Sequence, residues 1–135
     1  MKKRLITIDD YERLMAIKDL AFLTSENSEN VRKLYMELRH AHTLKPGYIS
    51  ASAITMNSQI LLLELNSSRQ IELTLTYPRD SNLLDRKVSV FSDIGIALLG
   101  RLVGDRVSWL IKGRKAQFEI IEIIYQPEAV GHFHL

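Results

Sequence analysis

The sequence predicts an α+β protein, an antiparallel helical hairpin followed by an antiparallel β-sheet carrying one packed helix. Two observations lead there. Apolar residues recur at helical spacing up to about residue 42, and from about residue 56 the period changes to two. Between them Lys45-Pro46-Gly47 ends the helical part, because proline cannot continue a helix and glycine accepts a left-handed backbone. The division expected is therefore 1–47 for the hairpin and 48–135 for the β domain.

In the first helix, Thr7-Ile8-Asp9-Asp10 reads as a capping box, with Thr7 accepting from the first free amides and Asp10 reaching back. Tyr11, Leu14, Met15 and Ala21 then share a face, which Ile17 and Leu20 widen. The polar run 24–30 is the loop. Val31, Leu34, Tyr35, Leu38 and Ala41/His42 mark a second helix, the clearest periodicity in the chain. Each helix is expected to hold about 14–16 residues, or ~21–24 Å.

The β domain starts with a strand over 60–65, a turn at Asn66-Ser67-Ser68-Arg69 and a strand in which Ile71, Leu73, Leu75 and Tyr77 alternate with polar residues. Val88 and Val90 mark a third strand, and Val107, Trp109 and Ile111 a fourth. Lys112-Gly113-Arg114-Lys115 turns into the last, 117–125, where the apolar phase slips between Ile120 and Ile121 and so predicts a bulge or burial on both faces. Ser92 as N-cap, Asp93 in the first turn and Gly100 just past the end frame a short helix. Apolar nearly all round, that helix must be buried against the sheet.

Of the 135 residues, 46% are hydrophobic and 25% charged, the balance of a globular protein with its own core. The absence of cysteine excludes disulfides, thiolate zinc sites and a cysteine nucleophile. Charge is even: nine basic and seven acidic residues in 1–47, nine of each in 48–135, so no part has the basic excess of a phosphate-binding surface. No sequence-specific nucleic-acid contact is expected. The apolar runs are far too short to span a bilayer, and Asp9 and Asp10 interrupt any signal-peptide core, so no membrane partner and a cytoplasmic location are expected.

The run Val88-Ser89-Val90-Phe91-Ser92-Asp93-Ile94-Gly95-Ile96-Ala97-Leu98-Leu99-Gly100, then Val103-Gly104-Asp105, resembles the C-terminal domain of the GreA/GreB transcript-cleavage factors. Thr55-Met56-Asn57-Ser58 and Glu122-Ile123-Ile124-Tyr125-Gln126-Pro127-Glu128-Ala129 carry the same resemblance. It covers residues 55–131; over residues 1–50 it rests on length and layout. The short hairpin is similar to a narrower group within that family, the regulators of nucleoside diphosphate kinase (Rnk).

The resemblance implies an FKBP-like β domain, a hairpin forming a short coiled coil, and bacterial RNA polymerase as partner, engaged near its secondary channel. It implies docking through the segment before the buried helix, here Phe91, Ser92 and Asp93. Ser92 follows the family pattern; Asp93 stands where proline is usual, and Phe91 where a polar residue is. Plain helix capping and core packing are the competing readings of these three. In Gre factors, paired acids at the tip of a hairpin about twice as long hold a magnesium ion in the polymerase active site. The acids near this tip are Asp19, Glu26 and Glu29, and so short a hairpin should not reach that site. The expectation is a monomeric, non-enzymatic regulator with no catalytic residue, metal or cofactor, competing with Gre factors without stimulating cleavage. The alternatives are an active cleavage factor using Glu26 and Glu29, and an interaction module for another protein such as a nucleoside diphosphate kinase.

Other constellations carry less. His40 and His42, read on a helix, would face different ways, and His132 and His134 lie in a terminal fringe expected to be mobile. Gly95, Gly100 and Gly104 do not spell a phosphate loop and read as packing and turn glycines. Arg101, Arg106, Arg114 and Lys115 can line one edge of the β domain and read as a solvated rim in preference to a binding site. Prolyl isomerisation would need a pocket of aromatics, whereas Trp109, Tyr77, Phe91, Phe118 and Tyr125 are spread over several strands.

Overall fold

The computed structural model describes residues 3–24, 28–133 and 135. The chain opens with a short strand, β1 (Leu5–Thr7), and three helices, α1 (Ile8–Ala16), α2 (Lys18–Thr24) and α3 (Ser28–Leu38). Thr7 caps α1 as expected, its hydroxyl accepting from the Asp10 amide at 2.9 Å. The expected single first helix is instead broken at Ile17, whose backbone leaves the helical region (φ −102°, ψ 7°). A physical cause lies across the hairpin. The Tyr35 hydroxyl donates to the carbonyl of Leu14, the acceptor that Lys18 would use in an unbroken helix.

The second helix also falls short of its expected length. It ends at Leu38, and β2 (His42–Leu44) pairs in parallel with β1, Leu5 opposite His42 and Thr7 opposite Leu44. His42 therefore lies on a strand and His40 in a turn, not on a common helix. Pro46–Tyr48 forms a single 3₁₀ turn.

The main sheet has the order β5-β4-β3-β7-β6, with β3 (Gln59–Glu64), β4 (Gln70–Thr76), β5 (Lys87–Ser89), β6 (Arg106–Ile111) and β7 (Arg114–Tyr125). Its pairs are antiparallel except β4–β5, which is parallel. The all-antiparallel expectation fails there because residues 77–86 form a crossover with two 3₁₀ turns, long enough to return the chain in its original direction. Tyr77 opens that crossover instead of ending β4. The predicted bulge is present: Leu61 pairs with Glu122 and Leu62 with Ile120, leaving Ile121 as the extra residue.

Helix α4 (Asp93–Leu98) crosses from the β5 edge towards the β6 edge. Ser92 caps it, accepting from the Gly95 amide at 3.0 Å. A Cβ on Gly95 would lie 2.1 Å from the Ser89 carbonyl oxygen, so only glycine lets α4 sit this close to the end of β5. Gly100 ends the helix at φ +79°, with β1 against it. Ile6 of β1 and the helical residues Leu14, Val31, Leu34 and Leu38 belong to the same buried cluster as Ile54, Ile60, Leu62, Leu75 and Phe118 of the β domain and Leu98 of α4.

Candidate functional site

The segment Phe91–Asp93 meets α3 directly. Asn30 of α3 donates to the Asp93 carboxylate at 2.7 Å and to the Phe91 carbonyl at 3.3 Å. The Phe91 ring is buried and lies 6.0 Å from Tyr35, which in turn lies 6.2 Å from Phe22. Burial pushes the Tyr35 hydroxyl up to about 12, so it stays protonated as a donor. The three docking candidates thus stand together with unequal exposure. Phe91 faces the core, Ser92 spends its hydroxyl on capping and on the Ser89 carbonyl, and Asp93 lies at the surface.

Glu29, on the first turn of α3, is exposed and pairs with Arg32 at 3.3 Å. Asp19 is exposed on the first turn of α2, and Glu26 lies outside the described residues. Among the described residues, no group of three or more His, Asp or Glu is placed to hold a metal ion.

Two polar clusters that sequence reading missed fix the base of the hairpin. Arg4, with 3% of its side chain exposed, binds Glu37 through Nε at 3.1 Å and Nη2 at 2.9 Å, and donates to the Leu99 carbonyl at 2.8 Å. Burial draws the Arg4 pKa down and the Glu37 carboxylate counters it. Arg101 also approaches Glu37, at 3.6 Å, so it belongs to this cluster and not to a solvated rim. The second cluster surrounds Asp10, which is fully buried. Its carboxylate accepts from the Met56 amide at 3.1 Å and the Tyr77 hydroxyl at 3.3 Å, with Arg13 at 3.4 Å. Asp10 is therefore no capping-box partner for Thr7; it ties α1 to the β domain. Burial pushes its carboxyl up to about 7, against the pull of the Met56 amide, and nearby Glu128 adds to the rise. No local signal marks the burial of Arg4 or Asp10, because Glu37, Leu99, Met56 and Tyr77 each lie more than 30 residues away along the chain.

Two further placements differ from expectation. His132 is tied down, its Nδ1 2.7 Å from the Tyr125 hydroxyl, while Arg13 donates to the carbonyls of Phe133 and Leu135; His134 lies outside the described residues. Trp109 stacks on Phe118, ring centroids 4.0 Å apart and planes within 4°, and lines a groove of about 670 Å³ between α3, α4 and β6.

Set beside known proteins, residues 49–125 match the family described as "Transcription elongation factor, GreA/GreB, C-term". The chain belongs to the GreA/GreB family. It is 35% identical over 103 residues, 76% of each chain, to the "Regulator of nucleoside diphosphate kinase" of Escherichia coli (strain K12). A solved GreA/GreB structure from Nitrosomonas europaea superposes with a TM-score of 0.78 at 30% identity, covering 93% of this chain and all of that one. "Transcription elongation factor GreA" of Thermodesulfovibrio yellowstonii is 23% identical over 96 residues, 71% of this chain and 61% of that protein. Among the described residues, no helix is long and apolar enough to cross a membrane.

Proposed function

We propose that this GreA/GreB family member is a non-enzymatic regulator that binds bacterial RNA polymerase near the secondary channel. It competes there with Gre factors and does not stimulate transcript cleavage. The observation that carries this reading is the hairpin. Helix α3 has 11 residues, ~16 Å at the usual rise, and the other arm is split at Ile17. An arm of that length, anchored to the sheet through Arg4 and Asp10, covers the mouth of a channel and does not reach its depth. In this reading the helices within residues 1–47 act as a short coiled-coil arm, residues 48–135 as an FKBP-like docking domain, and Phe91, Ser92 and Asp93 sit at the contact. Asp93 supplies the exposed charge, while Phe91 and Ser92 hold its backbone in place. The chain acts as a soluble monomer.

Retention of core polymerase by the tagged protein, displaced by an added Gre factor, is the expected result. Stalled elongation complexes given this protein should show no RNA cleavage beyond background. Cleavage that disappears in a Glu26→Ala, Glu29→Ala double variant would instead establish the active-factor reading. The name of the Escherichia coli relative supports a second reading, an interaction with a nucleoside diphosphate kinase. Co-elution of the two purified proteins on size exclusion would establish it, and separate elution would remove it.

A further inference from the structure

The two edges of the main sheet are finished differently. On one side β5 is three residues long and is closed by a bridge between Asn82 and Lys87. On the other, β6 runs for six residues and pairs only with β7. Its ladder is fixed at both ends. Lys112 and Gly113 (φ 51° and 78°) form a two-residue turn of the type that makes the flanking Ile111 and Arg114 a hydrogen-bonded pair. At the far end the Gly104 amide donates to the Ile120 carbonyl at 2.8 Å, and the Ile120 amide to the Asp105 carbonyl at 3.0 Å. Hydrogen-bonded pairs alternate along an antiparallel ladder. Counting from either end, Val107, Trp109 and Ile111 direct their backbone groups to β7. Arg106, Ser108 and Leu110 direct theirs outward, and among the described residues those outward groups meet no partner.

That edge is one wall of the 670 Å³ groove, which residues 104–110 line without interruption. Asn30, Lys33 and Glu37 of α3 form the opposite wall; Ile96 and Ala97 of α4, with Val107 and Trp109, supply an apolar floor. Few defences of an open edge stand along the strand: it has no proline or lysine, its one charge, Arg106, lies at its start and pairs with Glu119 at 3.4 Å, and Leu110 is 61% exposed. Lys33 is exposed and has no ion-pair partner among the described residues, unlike Glu37 and Asp93, which are engaged by Arg4 and Asn30.

We propose that this groove takes an extended segment of a partner protein as a sixth strand on β6. Backbone groups of Arg106, Ser108 and Leu110 would complete the ladder, which supplies affinity without regard to sequence. Selectivity comes from the two faces of the guest strand. Aliphatic side chains at alternate positions meet Ile96, Val107 and Trp109, and an acidic side chain meets Lys33. A second copy of this chain is a poorer occupant, because its β6 carries Arg106 and no acidic side chain to meet Lys33.

A blocked, fluorescein-labelled probe of seven residues, alternating valine and threonine with one glutamate at an end, tests this on the full chain. Saturable binding by fluorescence polarisation is expected, with slowed amide exchange at Arg106, Ser108 and Leu110. Ser108→Pro, which removes an outward N–H and blocks the edge, should weaken binding about tenfold. Lys33→Glu should weaken it about fivefold and bind better a probe whose glutamate is replaced by lysine. If Ser108→Pro does not fold, the Lys33→Glu reversal decides alone. No saturable binding, protection on another strand, or β6 protection that tracks dimerisation in sedimentation velocity without the probe would each overturn the proposal.

Discussion

At the base of the helical region, charges are buried and matched: Arg4 against Glu37 and the Leu99 carbonyl, Asp10 against the Met56 amide and the Tyr77 hydroxyl. At its far end the opposite holds. Leu23 is 83% exposed, Leu20 is exposed, and the Glu29–Arg32 pair stands in solvent. Buried charges are costly to orphan, whereas exposed pairs contribute little. The base therefore fixes where the hairpin points, and the tip is free to be read by a partner.

This contrast can be broken most directly at its centre. Glu37→Ala leaves Arg4 buried beside Arg101 without its carboxylate and should cost about 3 kcal/mol, read as a lower midpoint in urea denaturation. Gly100→Ala attacks the same joint from the backbone. A Cβ there would lie 2.6 Å from the Arg4 Cβ at φ +79°, so a loss of about 2 kcal/mol is expected from the same measurement.

Asp10 sharpens the comparison through pH. Its folded pKa, about 7, lies above its ordinary value of 3.8, so the folded chain holds a proton that the unfolded chain has released between those values. The stability it contributes is fully present below about pH 4 and is lost as pH rises through 7. Asp10→Asn should remove that component, leaving stability near wild type at pH 4 and raising it by up to about 4 kcal/mol at pH 8. Chemical denaturation across pH checks it.

The smallest effects belong to the tip. Leu23→Ser and Arg32→Ala should each move stability by less than about 0.5 kcal/mol. If the tip is a recognition surface, Leu23→Ser should still reduce retention of polymerase in the same pull-down.

Legibility in the sequence follows the range of the interactions. The Ser92 cap, the Gly100 stop, the Lys112-Gly113 turn and the bulge at Ile121 were readable because each is set by neighbours along the chain or by the phase of one strand. The β1–β2 pairing was not, since three-residue strands leave no period and their partners lie 37 positions apart. Local rules also read Asp10 as a capping residue and Arg101 as part of a solvated rim, because a charge shows its burial only through a partner brought in by the fold. Trp109 read as core by its alternation, and half of that is right: it stacks on Phe118 and also floors the groove. The family resemblance was legible because its motif lies in the one stretch, 88–105, where capping residues, glycines and a buried helix are consecutive.

The most direct test of the central claim is a titration of a Gre factor against this protein bound to core RNA polymerase, with RNA cleavage followed in the same stalled complexes. The account predicts mutual displacement and a fall in cleavage as this protein replaces the Gre factor. Simultaneous binding of both proteins, or cleavage sustained by this protein alone, would contradict it.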